Sequence, residues 1–288
     1  MDIVNLKAFI AVAEQGSFSL AAEELHLCQP AVSKRIAAIE TELNIHVFDR
    51  IGKKITLTEA GQTLLPRARK ILQEVDDSVR AISNLSDEIT GSLRIGTSHH
   101  IGLHRLPPVL RKYTEQYPDV KLDLRFMDSE QACRLVEKGE LELGIVTLPS
   151  QQSTSIQTSQ VWDDPLSVVV AKVHALAKKK KISLHDLAEH GAILPGSGTF
   201  TREIVQSAFE ELDIKLNTTL STNYLETIKM MVSIGLGWSV LPETMIDKDL
   251  RALDIKQLKL KRTLGIVQHP NLTLSNAGKM FIQILGNV

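Results

Sequence analysis

Between Ser17 and Glu40 the apolar positions repeat every three or four residues, break once, and resume. Phe18, Ala21, Ala22 and Leu25 stand at i, i+3, i+4 and i+7, which predicts a short helix with one buried face. Ser17 or Ser19 can cap its start, because a serine hydroxyl accepts from the free N–H groups of a first turn. The pattern resumes at Gln29-Pro30, and proline suits a first helical turn, where its missing N–H costs nothing. Val32, Ile36, Ile39 and Leu43 then form one apolar stripe, and the opposite face carries Gln29, Pro30, Ser33, Lys34 and Ala37. Two helices joined by a tight turn fit two readings. One is a helical hairpin with a solvated outer face. The other is a helix-turn-helix whose second helix enters a major groove, where Gln and Lys reach base edges and Ser holds a phosphate.

The flanking pattern predicts what supports this pair. From Asp2 to Glu14, Leu6, Phe9, Ile10 and Ala13 share a helical face that should cover it. Val47-Phe48 and Ile55-Leu57 read as two short strands about a Gly52-Lys53-Lys54 turn, a wing carrying Arg50, Lys53 and Lys54 beside Lys34-Arg35. Thr58 to Leu85 reads as one long helix, with Pro66 bending it or lying near its first turns. Leu64, Ala68, Ile71, Val75, Ile82 and Leu85 make an a/d seam, with Leu65, Leu72 and Val79 on its flank. Such a seam needs cover, from a second copy of the chain or from the chain's own core. Ser86 to Ser92 is polar and reads as a hinge. Beyond it short strands alternate with helices, which predicts an α/β unit with mostly parallel sheets. Its strands include 93–96, 120–126, 143–147, 166–171, 192–194 and 264–267; its helices include 106–116, 130–138, 201–212, 225–234 and 276–285.

Composition narrows the function. At 288 residues there is room for two domains. The formal net charge of −1 gives no global basic footprint, so any nucleic-acid affinity must come from a local patch. Cys28 and Cys133 are far apart and belong to no metal-spaced pattern, which fits a reducing cytosol. The N-terminal stretch has no long apolar run, so neither a signal peptide nor a membrane span is expected, and the chain is expected in the cytoplasm. Gly-x-Ser-x-Gly, His-Glu-x-x-His and Walker patterns are absent, and Ser197 has no evident base, so no enzymatic role is expected. A solute-binding transport protein is disfavoured by the N-terminal helix pair and the missing signal peptide.

The run LKAFIAVAEQGSFSLAAEELHL, QPAVSKRIAAIETELNIHVFDR and ITLTEAGQTLL closely resembles the N-terminal domain of LysR-type transcriptional regulators, and the resemblance extends at lower density over nearly the whole chain. One departure is Cys28, where the family usually caps the recognition helix with Ser or Thr; a thiol is a poorer cap. The resemblance implies a winged helix-turn-helix over residues 1–58, a linker and dimerisation helix with hinge over 59–91, and a two-lobed, periplasmic-binding-protein-like effector domain over 92–288. Lobe I would span about 92–162 and 266–288, lobe II about 163–265, with crossing strands near Trp162–Pro165 and Thr263–Val267 and a C-terminal helix returning to lobe I. It implies double-stranded promoter DNA, a small-molecule effector, a second copy in a homodimer or homotetramer and RNA polymerase as partners, with no cofactor. Gln29, Pro30, Ser33, Lys34, Arg35, Arg50, Lys53 and Lys54 would face DNA.

Loops after parallel strands lie where helix N-termini point their N–H groups outward, ready for an anion. Four such stretches are rich in hydroxyls: Thr97-Ser98-His99-His100, Asp128-Ser129, Thr147, and Pro195 to Thr199 with Arg202 a turn later. By resemblance they line the effector cleft, together with Asn223. The expected contacts are Ser98, His99, His100, Ser129, Thr147, Gly196, Ser197, Thr199, Arg202 and Asn223, around a small anion such as a carboxylate. Taken singly, each hydroxyl also reads as a helix cap. His99, His100 and His104 depart from the family pattern. Their spacing invites a metal, but no nearby Cys or paired carboxylate completes a shell, so no metal is expected and an imidazole beside the pocket is the preferred reading. Gly235 to Pro242 reads as a turn and strand of lobe II. Lys178 to Lys181 reads as a solvated loop, less fixed for want of the family's proline after His174.

Overall fold

The computed structural model describes residues 1–51, 54–86, 88–151, 153–255, 258 and 260–286, and for residues 50, 51 and 54 the backbone. The chain forms two compact units, Met1–Leu85 and Ser86–Val288.

In the first unit, α1 (Ile3–Gln15) closes on Gly16 in the left-handed region, φ 59°. The Ser17 hydroxyl accepts from Leu20 N–H and starts α2 (Phe18–Glu24). The recognition helix α3 (Gln29–Leu43) has Pro30 in its first turn and ends at Asn44, also left-handed. The wing follows as β1 (Phe48–Ile51) and β2 (Lys54–Leu57), antiparallel with Phe48 opposite Leu57. Leu6, Phe9, Val12, Ala21, Val32, Ile36 and Ile39 are buried together, and the Phe48 ring packs 5.4 Å from Phe9 and 6.0 Å from Phe18. The periodicity of the three helices therefore meets in one core, and the wing is pinned to it by an aromatic cluster.

The long helix α4 (Glu59–Ser83) is capped by Thr58, whose hydroxyl accepts from Gly61 N–H at 3.0 Å and donates to His46 O at 2.8 Å. A Cβ on Gly61 would stand 2.1 Å from Val47 O, so only glycine lets the helix lie against the wing. Pro66 lies inside the helix. The seam divides. Leu64 and Ala68 are buried in the unit's own core, whereas Ile71, Val79, Ile82 and Leu85 are exposed.

In the second unit, lobe I contains β3 (Gly91–Thr97), α5 (His99–His104), α6 (Leu106–Gln116), β4 (Val120–Phe126), α7 (Ser129–Glu137) and β5 (Leu143–Thr147). β6 (Gln157–Ala171) then runs for 15 residues, pairing with Leu260–Gln268 over its first half and with Ser239–Pro242 and Leu250–Leu253 over its second. Lobe II adds α8 (Leu184–Ala188), β7 (Ala192–Leu194), α9 (Phe200–Glu210), β8 (Thr218–Ser221), α10 (Leu225–Ser233), β9 (Ser239–Pro242) and β10 (Leu250–Leu253). The return strand β11 (Leu260–Gln268) leads to α11 (Asn276–Leu285). This last helix packs on lobe I: the Phe281 ring meets the Tyr113 ring edge to face at 5.1 Å, and the Tyr113 hydroxyl donates to Ala277 O at 2.9 Å.

The sheet order β10-β6-β11-β5-β3-β4 passes through both lobes. β3 pairs in parallel with β4 and β5, and β7 with β8, but β5–β11, β11–β6, β6–β9 and β6–β10 are antiparallel. The expectation of mostly parallel sheets is corrected here. Two strands that cross between lobes in opposite directions must pair antiparallel with each other. In β6, Val168 and Val170 face one core while Val169 faces another, the period of two expected of a strand covered on both sides. Gln157 to Val161 had no apolar signal to announce the first half of β6. The short α5 was likewise hidden in a stretch read as loop. His174, read as preceding a less fixed loop, starts a helical turn over Ala175–Lys178 and accepts from Leu176 N–H. Lys179 pairs with Asp186 at 2.8 Å.

Candidate functional site

The first candidate surface is the outer face of α3. Val32, Ile36 and Ile39 are buried, which turns Gln29, Pro30, Lys34 and Ala37 outward, with Ser33 and Arg35 half-exposed. Gln29 Nε2 donates to Ser33 Oγ at 3.0 Å, so the two polar groups lie side by side. Cys28 stands at the N-cap in extended conformation, is exposed, and makes no side-chain capping bond. The cap is made by the backbone instead: Ala31 and Val32 N–H donate to Cys28 O at 3.0 and 3.3 Å. Arg50 lies in β1 opposite Ile55, and Lys54 begins β2. Lys53 lies outside the described residues.

The second candidate site lies between the lobes of the effector unit. The carboxyl ends of β3, β4 and β5 meet the loops after β7 and β8 across a cavity of about 50 Å3. Ser98, His99, His100, Ser129, Thr147, Thr199 and Asn223 all line it. The hydroxyls differ in their duties. Thr199 caps α9, accepting from Arg202 N–H at 3.3 Å and donating to Gly196 O at 2.9 Å. Ser129 Oγ accepts from Thr147 N–H at 3.1 Å. Ser98 is the N-cap of α5 yet makes no capping bond with its side chain. Gly196 donates its N–H to Asn223 Oδ1 at 2.8 Å, and Asn223 Nδ2 donates across the cleft to Asp128 Oδ2 at 2.7 Å. Glu130 Oε1 accepts from Phe200 N–H, a second tie between the lobes.

Three expected contacts fall elsewhere, of which Gly196 lines an adjoining depression with Phe126 and Tyr224. Ser197 is exposed on its loop. Arg202 lines a different depression with Gln206 and Phe209, and its Nη2 donates to Thr218 Oγ1 at 2.6 Å. The cause is helical geometry: Thr199 caps the helix at the cleft, and three residues later the side chain points toward β8. His99 stands at the mouth, between Phe126 at 5.3 Å and Tyr224 at 4.8 Å.

The positive charge in the cleft comes from a residue that sequence reasoning missed, and that residue lines a cavity that Asp128 and Glu130 also line. Arg262 on β11 is buried; its Nε donates to Asp164 Oδ2 at 2.6 Å and its Nη1 to Thr201 Oγ1 at 3.2 Å. Its Nη2 has no partner among the described residues. Arg105 Nη2 reaches the other Asp164 oxygen at 3.3 Å. Two guanidiniums share one buried carboxylate, so the group carries one net positive charge. Burial lowers the Arg262 pKa from its ordinary value, and Asp164 opposes that shift. His100 is buried beside it, and desolvation, then the Arg262 charge, push its pKa down to about 4, which keeps the imidazole neutral. A positive group with a free N–H and an uncommitted serine hydroxyl can bind a small anion by charge-assisted hydrogen bonds.

Comparison with known proteins follows the same division. The family described as "Bacterial regulatory helix-turn-helix protein, lysR family" matches residues 3–62, and "LysR substrate binding domain" matches residues 86–288. A relative from Thalassiosira pseudonana, "Probable RuBisCO transcriptional regulator", is 31% identical over 289 residues, covering 96% of this chain and 94% of that one. The fold is similar to a full-length OxyR variant from Pseudomonas aeruginosa, with TM-score 0.70 and 24% identity over 100% of this chain and 94% of that one. It is also similar to full-length CbnR solved with its target DNA, with TM-score 0.65 and 21% identity over 100% of this chain and 99% of that one.

Proposed function

The chain belongs to the LysR family of transcriptional regulators, and on that footing we propose that it binds promoter DNA through α3 and its wing and answers to a small anionic metabolite, such as a carboxylate, between its two effector lobes. The observation that carries the effector reading is Arg262. It is buried, it belongs to a group with one net positive charge, it lines the cavity, and its Nη2 has no partner among the described residues. An unsatisfied buried donor costs about 1–3 kcal/mol, which a carboxylate oxygen would relieve. Ser98 supplies a hydroxyl with no structural duty, and Ser129, Thr147 and Asn223 complete a polar lining. The site binds; no nucleophile and base are paired in it for reaction.

In this reading residues 1–58 recognise double-stranded DNA, residues 59–91 pair with a second copy and form the hinge, and residues 92–288 sense the metabolite. The exposed half of the α4 seam supports a homodimer, which can pair again as a tetramer. The effector changes the geometry of the paired DNA-binding units, and hence contact with RNA polymerase. It does so only by as much as its affinity differs between two lobe arrangements. No described helix is long and apolar enough to cross a membrane, in keeping with work in the cytoplasm.

The test is a thermal-melting screen of the full-length protein against small carboxylates, other small anions and neutral metabolites. A ligand that binds only the native state stabilises it by about 2.7 kcal/mol at 100-fold excess over Kd. The expected result is a shift confined to anions and abolished in Arg262→Met. Shifts produced only by neutral compounds would contradict the proposal.

A further inference from the structure

A cluster beside the anion cavity has a different chemistry. His100 and His104 are one helical turn apart on α5, so their rings share a face and lie 4.8 Å apart. Glu226, in the first turn of α10, reaches that face from the other lobe. Its Oε1 is 3.1 Å from His104 Nε2 and 3.8 Å from His100 Nδ1. One donor atom from each of the three residues lies within 4.8 Å of the others.

We propose that His100, His104 and Glu226 bind a divalent late transition-metal ion of the zinc class, and that this ion ties lobe I to lobe II.

Four features point this way. Two imidazoles and one carboxylate are a donor set suited to zinc and its neighbours. His100 is only 4% exposed, and neither of its ring nitrogens has a hydrogen-bond partner among the described residues. A buried imidazole with both nitrogens unsatisfied is costly, and such an orphan calls for a missing ligand. The contact between His104 and Glu226 satisfies His104 but does nothing for His100, so a simple ion pair leaves the costlier group unexplained. Finally, the donors come from two separate helices, α5 and α10, and converge on one place.

The three donor atoms lie within 4.8 Å of one another and must draw together around an ion. With metal–ligand bonds of about 2.0–2.1 Å, tetrahedral donors stand about 3.3 Å apart. The His104–Glu226 separation already matches, and the His100–Glu226 separation is half an ångström longer. The nearby Arg262, Arg105 and Asp164 group keeps one net positive charge, and the negative charge that Glu226 brings to the ion opposes it. Three protein donors leave a fourth position for water. Because the donors come from both lobes, metal occupancy favours the arrangement in which α5 and α10 are close. The protein would then respond to a metal as well as to its metabolite, and the two responses are separable because this site does not use Arg262 as a ligand.

The experiment is a titration of chelator-stripped full-length protein with CoCl2, followed by the visible d–d absorption of bound cobalt and then by displacement with ZnCl2. The expected result is one cobalt per chain, displaced by zinc. Losing a group behind a metal ligand already costs roughly 10–100-fold in affinity. Losing a ligand itself, in His104→Ala or the isosteric Glu226→Gln, should cost at least about 100-fold, with the metal-free melting temperature unchanged. His190→Ala, which alters the chain's other close histidine pair with His174, should bind as the unmodified protein does. Absence of cobalt absorption in the unmodified protein, or undiminished affinity in Glu226→Gln, would overturn the proposal.

Discussion

Arg262 Nε lies 2.6 Å from Asp164 Oδ2, between strands that cross from one effector lobe to the other, and the Asp164 side chain is fully buried. A buried charge stripped of its partner is costly, whereas an exposed pair of similar length contributes little. Asp164→Asn should therefore destabilise the protein by about 3–5 kcal/mol, because it leaves Arg262 without a counter-charge. Asp123→Asn removes the exposed partner of Arg125, 2.7 Å away, and should cost less than about 1 kcal/mol. Urea unfolding of the two variants gives the comparison; equal losses would mean that burial does not set the worth of these pairs.

Ser98 and Thr199 both stand at helix N-caps on the cleft, but only Thr199 uses its side chain as a cap. Thr199→Ala should lose about 1 kcal/mol of stability. Ser98→Ala should change stability by less than about 0.5 kcal/mol while weakening the effector. Calorimetry with the identified effector decides the matter. Undiminished affinity in both variants would sink the cleft assignment.

Along α4, Leu64 and Ile82 belong to one seam but have different surroundings. Leu64 is buried in the unit's own core and Ile82 is 69% exposed. Leu64→Ala should cost about 2–5 kcal/mol of stability. Ile82→Glu should leave folding intact and shift the oligomer toward monomer, as light scattering would read. A charge at position 82 that left the mass unchanged at low concentration would argue that this stretch covers no partner.

The two thiols should differ sharply in reactivity. Cys28 is exposed, whereas Cys133 is buried on α7 and its pKa is pushed up to about 12 by burial, with Glu130 nearby adding to the shift. The thiolate is the reactive form. An aromatic disulfide reagent should therefore titrate one thiol in the native protein and two after denaturation, and Cys28→Ser should abolish the native reaction.

The helices of the first unit were legible because each has an apolar stripe and several have a marked start, at Ser17, Pro30 and Thr58, whereas the left-handed ends at Gly16 and Asn44 emerged only in the structure. The cleft hydroxyls were legible as a class, through their positions after strands and through the family resemblance. Which of them are free was not, since Ser98 and Thr199 look alike until the capping bonds are seen. The charged core of the cleft left no local signal. Arg262 and Asp164 are 98 residues apart, and a lone Arg among Lys261 and Thr263 reads as a strand's exposed side. Glu226 meets His104 across 122 residues, so the third donor of the His100 cluster could not be found from spacing. Arg202 misled because a basic residue one turn into a helix looks aimed at the helix's N-terminal site, while its actual partner, Thr218, lies on a later strand.

The outer face of α3 is proposed to read DNA. The direct measurement is selection of bound sequences from random double-stranded DNA by the full-length protein, followed by fluorescence anisotropy on the selected site at several salt concentrations. The account predicts enrichment of a motif with twofold symmetry. Gln29→Ala should change the preferred base at one position of each half-site, and Lys34→Ala should weaken all sequences alike and lower the salt slope by about 1. A double Gln29→Ala, Lys34→Ala variant that enriched the same motif with undiminished affinity would contradict it.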